Sequence, residues 1–229
     1  MSVFDNVHLP KVLYETQSQF NGKITVLQSG KTRKLIVDGV NQSLNWDSPV
    51  AKTKVWGRVV DVLKENQPAA KKVLILGLGG GTMQHLIAKA FPGVELVSIE
   101  LDPVMIDVAK KHFNLADIPN HKIINDDACR VIVEPQAHSL KEHYFDTIIV
   151  DIYCGEKFPE LGKSGNFITA LKNLVLPEGL IIFNRIYLEH HQDDVNIFID
   201  SVGNFLADVH SLVIAGVTNS DNVLIYGRA

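Results

Sequence analysis

Two cysteines in 229 residues, Cys129 and Cys154, are too few for a disulfide scaffold, and their separation matches no metal-ligand spacing. The nine histidines form no H-E-x-x-H or similar pattern, so they read as core or surface residues and no metal is expected. Long apolar runs are missing as well. Without about 18 consecutive apolar residues, no helical membrane span is expected. The opening Met1-Ser2-Val3-Phe4-Asp5 lacks a basic stretch ahead of an apolar one, so a secretory leader is not expected and the chain reads as cytoplasmic. Positive charge is short: 22 Lys and Arg against 26 Asp and Glu give a net charge of −4, which leaves no basic footprint for nucleic acid. There is no internal repeat and no low-complexity segment.

What is present is a core. Hydrophobic residues make up 46% of the chain, enough for one main domain with a small appendage. Residues 1–48 read as short strands and turns: Lys23-Ile24-Thr25-Val26-Leu27 alternates, Gln28-Ser29-Gly30-Lys31 turns, and Lys34-Leu35-Ile36-Val37 returns before Asp38-Gly39. So small a β piece must pack on something else. Residues 49–229 read as a separate α/β domain. Pro49 is expected to open a helix reaching about Asn66, after which strands and helices alternate with short connections, as in a parallel sheet. A helix burying Met83, Leu86, Ile87 and Ala90 follows the first strand. Asp102 and Pro103 start the next helix, and later ones bury Phe167, Ile168, Leu171 and Leu174, and then Val195, Phe198, Ile199, Val202 and Leu206. The chain closes with two strands, 212–217 and 223–226, around Thr218 to Asn222.

Chemistry is concentrated at strand ends. Val73-Leu74-Ile75-Leu76 runs into Gly77-Leu78-Gly79-Gly80-Gly81-Thr82, where a helix begins, a place for backbone amides and a helix N-terminus to face a ligand. The dinucleotide fingerprint G-x-G-x-x-G fails here, because its third glycine falls on Thr82. Twenty-three residues after Gly77, a strand ends in Glu100, suited to a ribose diol. A third strand ends in Asn125-Asp126-Asp127, and either aspartate can accept the adenine amine, with Asp127 preferred. The fourth ends in Asp151, which can orient or deprotonate an acceptor. Beyond it, Tyr153, Phe158 and Pro159 between Gly155 and Gly162 are expected to form a mobile cover. Cys154 has no histidine partner by spacing and reads as a plain thiol.

These motifs resemble the spermidine synthase-like family of polyamine biosynthesis. The resemblance covers most of the chain: Gly22-Lys23-Ile24, Leu35-Ile36-Val37-Asp38-Gly39-Val40-Asn41-Gln42, the glycine turn, Ile99-Glu100-Leu101-Asp102-Pro103, Asp126-Asp127-Ala128, and Phe145-Asp146 through Asp151. It implies a methyltransferase-like Rossmann fold, a mostly parallel seven-stranded sheet ending in an antiparallel hairpin, with a small N-terminal β domain. It also implies a homodimer built through that β domain. The donor-binding set it implies is Gln42, Gly77, Gly79, Gly80, Gly81, Glu100, Leu101, Asp126, Asp127 and Ala128, with Asp151 catalytic and Tyr153 and Phe158 on the acceptor side.

Departures from the family pattern bear on the reaction. Where spermidine synthases usually carry an aspartate in the glycine turn, this chain has Gly80. Where they carry a second aspartate after the strand-end one it has Cys154, and in place of a Tyr-His-Glu cluster it reads Asp47-Ser48-Pro49-Val50-Ala51-Lys52. Each lost charge-assisted bond to a polyamine is worth roughly 1.5–3 kcal/mol. Glycine at 80 also removes repulsion of a carboxylate and is expected to leave bare amides for it. The leading expectation is methyl transfer from S-adenosylmethionine to an unknown small-molecule or amine acceptor, closer to the family's methyltransferase-like branch. The alternatives are aminopropyl transfer from decarboxylated S-adenosylmethionine and a non-catalytic adenosyl-binding protein, with an NAD-dependent oxidoreductase last.

Overall fold

The computed structural model describes residues 9–153, 158–187, 189–216 and 222–229, and its strands form two sheets. The first is a four-stranded antiparallel meander of β1 (Lys11–Ser18), β2 (Gly22–Ser29), β3 (Thr32–Val37) and β4 (Val40–Leu44). Its alternating pattern puts Ile24, Val26, Leu35 and Val37 on one face. That face is covered by Met105, Val108 and Phe113 of the α/β portion, which supplies the burial the small sheet cannot provide for itself.

A helix opening at Pro49 is not what forms. A 3₁₀ turn at Ala51–Thr53 comes first, Lys54 is extended (φ −95°, ψ 178°), and helix α1 starts at Val55 and runs to Asn66. The reason lies in Ser48, whose hydroxyl bonds to Thr32 at 2.9 Å and tethers the segment to β3. The chain must then change direction at Lys54 before α1 can lie along the second sheet.

That sheet has seven strands: β5 (Lys72–Leu76), β6 (Glu95–Glu100), β7 (His121–Asn125), β8 (Phe145–Val150), β9 (Val175–Ile186), β10 (Ala207–Ile214) and β11 (Asn222–Arg228). Their spatial order is β10-β11-β9-β8-β5-β6-β7. The first five are parallel, and β11 pairs antiparallel with both β9 and β10, so the expected terminal hairpin is present. Its connection, residues 217–221, lies outside the described residues. Leu74 and Leu76 of β5 face a core with Ile168, Leu171 and Phe198, while Val73 and Ile75 face Val59, Leu63, Ile87 and Ala109. Apolar residues on both faces explain why the strand reads as a continuous hydrophobic run.

Helices α2 (Thr82–Ala90), α3 (Pro103–His112), α4 (Ala128–Val133), α5 (Gly165–Leu174) and α6 (Gln192–Val202) complete the layers. Asp102 caps α3 by accepting from the Val104 amide at 2.9 Å, and Asp127 caps α4 through the Cys129 and Arg130 amides. Helix α6 stops at Val202, so Leu206 is buried just beyond it and not within it.

Candidate active site

Strand order reverses between β5 and β8, where an open parallel sheet leaves a crevice beyond its carboxyl ends. Pairing of Leu76 with both Ile99 and Val150, and of Val150 with Phe183, brings the next residues, Gly77, Glu100, Asp151 and Asn184, to one level. A cavity of about 250 Å³ opens there. Among the described residues its charged side chains are Glu100, Asp127 and Asp151, with no lysine or arginine in the lining.

Each acid is held differently. Glu100 accepts the Leu78 amide at 3.1 Å and the Asp102 amide at 2.9 Å, one on each oxygen. Burial pushes its carboxyl up to about 7, although the Asp102, Leu78 and Gly79 amides pull it back. Asp151 accepts one bond from the Asn184 side chain at 2.7 Å, and burial pushes it up to about 6 against that bond. Asp127 spends Oδ1 on the α4 amides.

The glycine turn positions these groups mainly by letting other chain segments approach. Gly77 sits at φ +96°, and a Cβ there would collide with the Asp151 carbonyl oxygen. The turn of β5 and the end of β8 are therefore pressed together, which only glycine permits. Four of the turn's amides already have partners. Gly77 N–H goes to Ile99, Leu78 to Glu100, Gly80 to Ser43 Oγ at 2.8 Å, and Gly81 to Leu78.

The Spermine/spermidine synthase domain matches residues 57–226. This chain belongs to that family. Relatives of the spermidine synthase-like protein fall into two groups of transferases. It is 30% identical over 117 residues to a polyamine aminopropyltransferase of Vibrio vulnificus, which covers 51% of this chain and 38% of the relative. It is 27% identical over 122 residues to the human eEF1A lysine and N-terminal methyltransferase, covering 50% of this chain and 17% of that one. The chain thus spans well under half the length of these curated relatives. Among solved structures, spermidine synthase from Thermotoga maritima superposes with a TM-score of 0.73 at 17% identity, covering 95% of this chain and 72% of that one. A spermidine synthase solved with the transition state analogue AdoDATO gives 0.75 at 17% identity, covering 95% and 73%. Human methyltransferase-like protein 13, solved with SAH, gives 0.57 at 18%, covering 77% of each chain. These likenesses establish the shared fold.

Of the residues singled out in the spermidine synthase-like sequence, the structure brings Gln42, Gly77, Gly79, Glu100, Leu101, Asp127, Ala128, Asp151 and Tyr153 to the cavity wall. Four it does not. Gly80 is buried under β4: its amide is taken by Ser43, and a Cβ would lie 2.9 Å from Ser43 Cβ and 3.2 Å from the Phe113 ring. The expectation of bare amides at Gly80 is therefore corrected. Gly81 lies below the wall against Leu115. Asp126 is turned away, paired with Arg130 and with His138 at 3.0 Å. Phe158 is core, not cover: its ring packs against Phe198 and the Arg185 guanidinium, 4.3 Å from the ring centre.

Tyr153 is not mobile cover either. Its hydroxyl donates to the Asn184 carbonyl at 2.7 Å and accepts the Ile186 amide at 2.8 Å, which locks it to β9. Pro159 and Leu161 supply the outer wall, and Leu161 is exposed. Cys154 and Gly155 lie outside the described residues.

Several wall residues escaped sequence reasoning. Asn21 reaches the cavity from the β1–β2 connection, its amide donating to Asp102 at 2.7 Å while Ser18 donates to the same oxygen at 2.5 Å. Asn184, which holds Asp151 without itself lining the cavity, ends the apolar run Leu180 to Phe183, a signal that could have been used. Thr82, noted only as a missing glycine, exchanges hydrogen bonds with both backbone groups of Leu44.

Proposed function

We propose that this protein is an S-adenosylmethionine-dependent methyltransferase of the spermidine synthase-like family, acting on an amine or other small acceptor. The observation that carries the reading is the packing of β4 on Gly80, which leaves no room for a side chain where a polyamine-type donor site needs an acid. The donor supplies an activated carbon for in-line displacement. Three carboxylates at strand ends around the cavity fit a cationic adenosyl group. Glu100 accepts the ribose hydroxyls, Asp127 the adenine amine, and Gln42 and Asn21 close the side formed by the β sheet. Asp151 orients the acceptor and takes its proton, and Tyr153 and Leu161 limit water at the reacting end.

Aminopropyl transfer is the second reading, favoured by one specific feature. Among the described residues all the charged side chains of the cavity are acids, and the Gly80 amide is taken by Ser43, so a donor carboxylate finds neither a cation nor that amide there. The by-product decides between them. Incubation with each donor and a panel of primary amines is expected to release S-adenosylhomocysteine. Release of methylthioadenosine from the decarboxylated donor alone would establish the second reading. Donor binding with no turnover of either would leave a non-catalytic adenosyl-binding protein.

A further inference from the structure

We propose that Asn222, in the C-terminal hairpin, is a positioning residue that orients the Asp151 carboxylate through Asn184. The inference rests on the reading of Asp151 as the acid–base group of the cavity. Asn222 Nδ2 donates to Asn184 Oδ1 at 3.0 Å, and Asn184 Nδ2 donates to Asp151 Oδ1 at 2.7 Å. Only one orientation of both amides satisfies this chain. An ionised carboxylate offers acceptors alone, so Asn184 must present its NH₂ to Asp151 and its oxygen to the neighbour. Asn222 must then present its own NH₂. Reversing either amide would set oxygen against oxygen or NH₂ against NH₂.

The backbone reinforces the arrangement. Asn222 pairs with Ile186 and Leu224 with Asn184 across β11 and β9, so the hairpin edge is in register with the end of β9. Asn184 is 4% exposed, and its carbonyl is held by Tyr153. One oxygen of Asp151 is thereby occupied, while Oδ2 has no partner among the described residues and Asp151 lines the cavity. The relay assigns Oδ1 to anchoring and Oδ2 to the acceptor proton. It also gives the terminal hairpin, far from Asp151 in sequence, a direct role at the reacting end.

Among the described residues, other titratable groups near Asp151 are committed elsewhere, and the Cys129 thiol in the same cavity is pushed up to about 11 by burial and by Asp127, so it stays protonated. Tyr153 is tied to β9 and burial raises its hydroxyl, so it stays protonated. Arg185 turns its Nη2 to Asp194 at 2.8 Å and lies between Phe158 and Phe198. Glu100 and Asp127 line the same cavity, Glu100 held by turn amides and Asp127 by α4.

The test follows the Asp151 carboxyl carbon by ¹³C NMR against pH in the full-length protein labelled at aspartate, with the signal assigned by its loss in Asp151→Asn. Asn222→Ala removes the donor to Asn184 and is expected to tighten proton binding at Asp151 about three- to tenfold, the effect of one weakened hydrogen bond. Asn222→Asp is expected to tighten it further, because a carboxylate there turns the Asn184 amide and lays its oxygen against Asp151. Melting curves of both variants show that the shift belongs to a folded chain. A midpoint within twofold of the unsubstituted protein in either variant, or a shift to weaker proton binding, overturns the relay. The titration does not depend on donor or acceptor, so its failure leaves the transferase reading standing. Unimpaired turnover by Asp151→Asn would instead sink the transferase role of Asp151 and leave the relay intact.

Discussion

At Gly77 a single hydrogen atom separates a working turn from a collision, because any Cβ would meet the Asp151 carbonyl and φ is +96°. Gly77→Ala is expected to cost about 2–4 kcal/mol in denaturant unfolding, combining strain with displacement of β8. Asp151→Asn should leave the fold intact while lowering turnover about 10²- to 10⁴-fold, measured at saturating donor. Glu100 provides the pH dependence. Its carboxyl is raised to about 7, so it is neutral below that value and an ionised acceptor above it. Donor affinity by calorimetry should therefore weaken as the pH falls through 7, approaching about tenfold per pH unit, and level off above it. The ligand-free protein responds with the opposite sign. Because folding raises this carboxyl above its usual value, its contribution to stability is greatest in acid and is lost as the pH climbs through about 7.

Between elements, the decisive contact is that of β4 with the start of α2. Ser43 takes the Gly80 amide, and Thr82 bonds both backbone groups of Leu44, so the small sheet is fastened to the glycine turn by side chains 37 and 38 residues apart. Thr82→Val keeps the shape and removes the hydroxyl. It should lower the unfolding free energy by about 1–3 kcal/mol through the stranded Leu44 groups, and the measurement is thermal or urea unfolding. In the sequence Thr82 stands out only as the residue that breaks a dinucleotide fingerprint. Its partner could not be read, because a hydrogen bond spanning 38 residues leaves no local periodicity. Phe158 shows the same limit: an aromatic in a glycine-flanked loop looks like a cover until Phe198 and Arg185, from distant segments, are seen to enclose it.

For the whole molecule, alternation of strand and helix made a parallel α/β sheet legible, since parallel crossovers leave few topologies open, and the family resemblance supplied its seven strands and terminal hairpin. The four-stranded meander was legible as β structure, and its cover was not. Ile24, Val26, Leu35 and Val37 meet α3 and its C-terminal Phe113, a docking that depends on residues on both sides. Phe113→Ala should cost about 3–5 kcal/mol and expose both sheets to local unfolding. This docking also brings Asn21 and Gln42 to the cavity, so it is the packing of the two sheets that completes the site. Whether the completed cavity accepts a donor with or without a carboxylate is the central question, and titration calorimetry at pH 8 with S-adenosylmethionine and its decarboxylated form answers it directly. The account predicts that intact S-adenosylmethionine binds and that the decarboxylated compound binds no more tightly, because the acid that would pair with its ammonium has no room at Gly80. Tight binding of the decarboxylated compound alone would contradict it.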